Sequence, residues 1–114
     1  CSASGKLLLA FKPPEERAKL LDNLPLEQFT HRTIVDRDVL ESELNRIMST
    51  EYAVDNEEYV LGVSCVAVPV RDKHGDAVAA IAIHAATARL PLNQAMEYIP
   101  QLRAAAERIS NTLS

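Results

Sequence analysis

An acidic segment, Asp55-Asn56-Glu57-Glu58, leads into an apolar run carrying a single cysteine, Cys65. Beyond Asp72-Lys73-His74-Gly75 a second apolar run carries a single histidine, His84. A carboxylate, a thiol and an imidazole together could do acid–base work, coordinate zinc, form a thiolate pair or hold an anion. Spacing narrows the choice. No close ligand pair anchors a metal, no serine sits in a nucleophile-elbow context, and nothing near Cys65 in sequence activates it, so no catalytic or metal-ligating residue is assigned. Asp55 reads equally as a surface carboxylate tied to local backbone amides, and Cys65 as an inert core residue. His84 follows Ile81-Ala82-Ile83 in a segment that reads as buried, where an unpaired imidazole costs desolvation energy. Its partner is either a protein carboxylate or a bound anion. The pattern suits holding a small carboxylate without transforming it.

The elements that must position these groups follow from periodicity. Val63 to Val70 and Ala77 to Ala85 are apolar at nearly every position, which predicts two adjacent antiparallel strands, near 63–71 and 77–85, covered on both faces in the middle of a sheet. Gly75 supplies the turn, and Pro69, which lacks a ladder donor, marks an expected irregularity. Upstream, Ser2 or Ser4 caps a short helix over Lys6–Phe11, and Pro14-Glu15-Glu16 opens a second that Pro25 stops. Thr30 to Val35 reads as a short strand or extended strap. Asp36 caps a third helix with Val39, Leu40, Leu44, Ile47 and Met48 on one face. Tyr52–Val54 is extended, and 55–58 is too acidic for a buried strand and reads as a loop or sheet edge. A terminal helix spans about 92–112, with Pro100 bending it or separating its first turn from the main rod.

Composition bounds the function. At 114 residues, 47% hydrophobic and 25% charged, the chain fits one α/β domain with an aliphatic core. Twelve Lys and Arg against sixteen Asp and Glu give a net charge of −4 with no basic stripe, so the chain alone is not expected to bind nucleic acid. Cys1 and Cys65 are read as reduced thiols of a cytoplasmic protein, and no segment has the length or pattern of a membrane span or leader. No cofactor is implied.

The ordered set Cys1-Ser2-Ala3-Ser4-Gly5-Lys6-Leu7-Leu8-Leu9-Ala10, Phe29-Thr30, Gly62-Val63-Ser64-Cys65-Val66-Ala67-Val68-Pro69-Val70 with Asp72 and Gly75, Ala79-Ala80-Ile81-Ala82-Ile83, and Ser110 resembles the effector-binding domain of the IclR family of bacterial transcriptional regulators. The resemblance implies a GAF-like α/β fold with an antiparallel sheet flanked by helices. It also implies that residues 1–114 form part of an effector-binding domain, lacking its opening strands and the winged helix-turn-helix module through which DNA would be bound. It further implies a small organic or aromatic carboxylate as effector and assembly as a homodimer or homotetramer. Carried onto this sequence, the ligand positions are Ala3 and Ser4, whose amides would meet a carboxylate, with Asp55, Cys65, Ala82 and His84. Where the family often has a Ser-x-Ser-Gly pattern, this chain has Ala82, His84 and Ala85. A small metabolic enzyme acting on organic acids and a ligand-free dimerisation module are the alternatives.

Overall fold

The structure, a computed structural model, describes residues 2–113, so the Cys1 thiol lies outside the described residues. Three helices precede the sheet: α1 (Ala3–Ala10), α2 (Pro14–Asn23) and α3 (Arg37–Thr50). The sheet has β1 (Ala53–Asn56), β2 (Val63–Arg71) and β3 (Ala77–Ala86), paired antiparallel in the order β1-β2-β3. A short helix α4 (Leu92–Ala95), a 3-10 turn (Met96–Tyr98) and α5 (Ile99–Thr112) complete it. This is an α/β fold whose three-stranded antiparallel sheet is flanked by helices on both faces.

The central strand explains the arrangement. Side chains alternate across a strand, so β2 sends Cys65 and Ala67 to one side and Val66, Val68 and Val70 to the other. Cys65 and Ala67 pack with Ala3, Leu7 and Ala10 of α1 and Leu40, Leu44 and Ile47 of α3. The three valines pack with Ala95, Ile99, Leu102 and Ala106 of α4 and α5. The neighbouring strands obey the same parity: Ala53, Ala80 and Ala82 face α1, whereas Val54, Ile81 and Ile83 face α5. On the α1 side the row Ala53–Ala67–Ala82 presents only methyl groups. That allows α1 to lie close on the sheet.

The hairpin between the long strands is as expected, but two details differ. Among the described residues only β2 is covered on both faces; β3 lies at the edge of the three-stranded sheet, with Val78, Ala79, His84 and Ala86 exposed. Its alanine-rich sequence reads as buried because alanine is apolar, yet alanine loses little by facing water. The irregularity falls one residue past Pro69, as a register shift between Val70 and Arg71, while Pro69 itself sits opposite Ala80. Asp72 closes the turn by accepting from the amides of His74 at 2.9 Å and Asp76 at 3.1 Å, and Gly75 adopts φ +83°. The bulged Arg71 carbonyl accepts from the Ser110 hydroxyl at 2.5 Å, which pins α5 to the sheet.

The remaining elements also refine the sequence reading. α1 begins at Ala3, with Ser2 as its cap. Thr30 to Val35 is an irregular strap containing a turn and no strand. The acidic segment does enter the sheet, because β1 runs through Asp55 and Asn56 at its edge. Pro100 stands second in α5 after the 3-10 turn, so the terminal helix is divided as its ring chemistry demands.

Leu7 and Val78 mark the extremes of this packing, one fully buried and the other about half exposed. Replacing Leu7 by Ala is expected to destabilise the intact protein by about 2–5 kcal/mol in denaturant unfolding, whereas Val78→Thr should stay within about 0.5 kcal/mol. Equal effects would contradict the assignment of α1, and not β3, as the covered layer.

Candidate functional site

The first turn of α1 stands over the sheet at the row Asp55–Cys65–His84, three residues paired across β1, β2 and β3. Adjacent strands lie about 4.8 Å apart, so the three side chains form a line roughly 10 Å long under the helix terminus. Local chemistry fixes that terminus. The Ser2 hydroxyl accepts from the Gly5 amide at 3.0 Å, and the Ser2 carbonyl accepts from Lys6 at 3.0 Å. An added Cβ at Gly5 would stand 2.9 Å from the Ser2 hydroxyl, so a larger residue there would have to turn the capping side chain aside. Of the other first-turn amides, Ala3 hydrogen-bonds toward the Cys65 thiol. The Ser4 amide has no partner within the helix.

The six sequence-derived positions are therefore only partly gathered. Ala3, Cys65 and Asp55 are buried together, Ser4 and Ala82 are half-buried, and His84 is exposed. The expectation of a buried histidine fails because β3 is an edge strand, where water solvates the imidazole without a protein partner. Nor is the Ala3 amide free. Asp55 takes its plainer role as well, since its Oδ1 accepts from the Glu58 amide at 2.7 Å. Among the described residues no group of three or more His, Cys, Asp or Glu side chains is placed to hold a metal ion.

The environment of Cys65 clearly perturbs its thiol. Burial pushes the thiol pKa up, the Ala3 amide opposes this, and the Asp55 charge adds to the rise. A protonated, buried thiol is a poor nucleophile, so this cysteine packs and shapes; it does not attack.

Sequence reasoning missed the group that holds the row in place. Lys6 points inward from α1 and its Nζ meets Glu58 at 3.0 and 3.1 Å, both side chains being more than nine-tenths buried. Glu43 of α3 lies 3.8 Å from the same ammonium. Glu58 also accepts from the Asn56 amide at 2.9 Å. Its carbonyl accepts a short bond from the Thr33 hydroxyl, while the Thr30 hydroxyl donates to the Glu57 carbonyl at 2.6 Å. Glu57 is left-handed at φ +58°, a conformation costing a non-glycine residue about 1 kcal/mol, and its carboxylate accepts from Gly62 at 2.6 Å. The only sequence signal was a lysine within an apolar helical stripe, and long lysines usually bring their charge out to water. Next to this pair, on the flank of α1 away from Cys65, lies a cavity of about 230 Å³ walled by Leu9, Leu24, Leu26, Phe29, Ile34 and Leu40.

Residues 1–111 match the family described as the bacterial transcriptional regulator IclR C-terminal region. The chain belongs to the IclR family. It is similar to the probable transcriptional regulator SauR of Cupriavidus necator, at 40% identity over 112 residues, covering 98% of this chain and 44% of that protein. Among solved structures, the Thermotoga maritima IclR is 39% identical with a TM-score of 0.89 over 98% of this chain and 45% of that one. The inducer-binding domain of Acinetobacter PobR, a double mutant in complex with 3-hydroxybenzoic acid, is 28% identical with a TM-score of 0.92 over 97% of this chain and 64% of that one. SauR is named a probable transcriptional regulator and PobR a transcription factor, and the chain spans under half the length of SauR and of the Thermotoga protein. No helix among the described residues is long and apolar enough to cross a membrane.

The perturbed thiol gives a direct check on the geometry. With every other cysteine replaced by serine, Cys65 should be alkylated slowly by iodoacetamide until the pH passes the ordinary thiol range. Asp55→Asn removes a charge that raises the pKa, so the pH profile should move down. A shift upward, or none, would show that Asp55 does not face the thiol.

Proposed function

We propose that this chain is the effector-sensing part of a DNA-binding IclR-family regulator, within a GAF-like domain, and that its effector is a small organic or aromatic carboxylate. The observation that carries the reading is the Asp55–Cys65–His84 row beneath the first turn of α1. We place the ligand between α1 and the end of β3, on the side where Ser4 and Ala82 are half-buried and His84 is exposed. A carboxylate in this cleft takes the Ser4 amide at the positive end of the helix, and His84 is within the same opening to donate a second bond. Asp55 would repel a carboxylate but accepts from a hydroxyl through the oxygen that Glu58 leaves free. The ligand is then bifunctional, with its carboxylate at α1 and a hydroxyl toward Asp55. The hydroxybenzoic acid held by the PobR domain has this chemistry, and Ala82, bearing a methyl, favours an apolar ring over a two- or three-carbon acid.

Calorimetry on the full-length regulator with benzoate, 3-hydroxybenzoate and short aliphatic acids tests this reading. Ser4→Pro removes the amide while keeping a helix start, since Pro100 already occupies the second position of α5. It should cost one bond to a charged group, about 10- to 150-fold in affinity. His84→Ala, at a solvent-exposed position, should cost only about 2- to 12-fold. Tight binding untouched by both changes would place the site elsewhere.

A second reading, a ligand-free dimerisation module, is favoured by one observation: Cys65 is only 1% exposed and sits within the packed core. It predicts no acid binding at all. Both readings expect a homodimer or homotetramer, and DNA contacts made by parts of the protein outside this acidic chain. Light scattering on the full-length protein should give a dimer or larger; a monomer across a wide concentration range would count against both.

A further inference from the structure

We propose that Lys6 and Glu58 are positioning residues for the effector cleft: the buried pair sets how Asp55 and the first turn of α1 face each other. The inference rests on the reading of that cleft given above. Every polar group of Glu58 is bound, and its partners lie on β1, α1 and the strap. Its amide holds Asp55 at 2.7 Å, its carboxylate holds Lys6 of α1 at 3.0 and 3.1 Å, and the same carboxylate closes back on the Asn56 amide at 2.9 Å. Its carbonyl takes the Thr33 hydroxyl of the strap. The strap thus presses the Glu57–Glu58 turn from outside while Lys6 draws it from inside. Stability alone does not account for a buried ion pair, because apolar residues of similar volume often serve as well or better. What an apolar pair cannot supply is direction. Lys6 lies in the same short helix as Ser4, and Glu58 is bonded directly to Asp55. The two ends of the proposed ligand site are therefore joined through one charge-assisted contact.

The test uses the full-length protein and two probes, benzoate and 3-hydroxybenzoate, which differ only in the hydroxyl meant for Asp55. In the parent protein 3-hydroxybenzoate should bind about 10-fold tighter or more. In Lys6→Met combined with Glu58→Met, an apolar pair of similar length, that advantage should fall to about 2-fold or less while the melting temperature changes little. A merely structural role would weaken both probes alike. Should the double variant fail to fold, Thr33→Val loosens the same turn from the strap side with both charges kept, and the hydroxyl preference should again fall. An unchanged preference in a folded variant overturns the inference. If the parent protein binds neither acid, the reading of the cleft has failed and the inference is decided by the Cys65 thiol. Its alkylation profile should then move with pH in Thr33→Val, which loosens the turn and leaves every charge in place, and an unmoved profile overturns the proposal.

Discussion

The rest of the structure depends on the burial of β2 on both faces. Its alternating side chains must satisfy two unlike layers at once: a close one, made by α1 against Ala67 and Cys65, and a bulkier one, made by α5 against Val66, Val68 and Val70. A slip of one residue in either strand pairing would exchange the two sets, placing valines under α1 and the Cys65 row under α5. Register is therefore fixed by packing, and with it the line of Asp55, Cys65 and His84. The bulge at Val70 and Arg71 ends the strict pairing where the Ser110 hydroxyl anchors α5. The terminal helix so locks the register from the opposite face.

This division separates two tasks. Among the described residues the α5 face is built mainly of aliphatic side chains at helical spacing, with Ser64 as its buried polar residue, and carries no buried charge. The α1 face holds the buried polar groups Lys6, Asp55, Glu58, Thr30 and Thr33. Ionic and hydroxyl groups tolerate burial only when bonded, and no buried side-chain polar atom among the described residues lacks a partner. Breaking the Lys6–Glu58 pair on one side would leave an uncompensated charge at a cost of about 3–5 kcal/mol. The polar face is thus rigid at its centre. At the β3 edge it is more open, with Ser4 and Ala82 half-buried and His84 exposed.

Sequence periodicity captured β2, the hairpin turn, the helix caps at Ser2 and Asp36 and the break at Pro100, because each rests on local steric or hydrogen-bonding rules. It misjudged β3, since a run of alanines reports the absence of polarity and not the presence of a cover. His84 was misplaced with it. The acidic segment was read as too acidic to be buried because the partners of Glu58 are distant, Lys6 by 52 residues and Thr33 by 25, whereas Asp55 is held by the Glu58 amide three residues on. Pairing across such separations leaves no mark on periodicity or spacing. The candidate positions taken from family resemblance proved to share one face, which the strand register accounts for, though spacing alone did not bring them together.

The geometry also explains why a cysteine suits the centre of the row. A serine there would carry a stronger hydroxyl donor into the packed interior, where its proton would need an acceptor of its own. A thiol is small, apolar in its packing and content with a weak bond from the Ala3 amide. It keeps α1 close to the sheet while Asp55 on one side and His84 on the other carry the polarity. The row therefore grades from a buried carboxylate held by backbone, through a packed thiol, to a solvated imidazole. On the proposed reading, selectivity for one acid over another comes mainly from the two ends, and the edge residues Ala82 and His84 are where it can change without disturbing the fold.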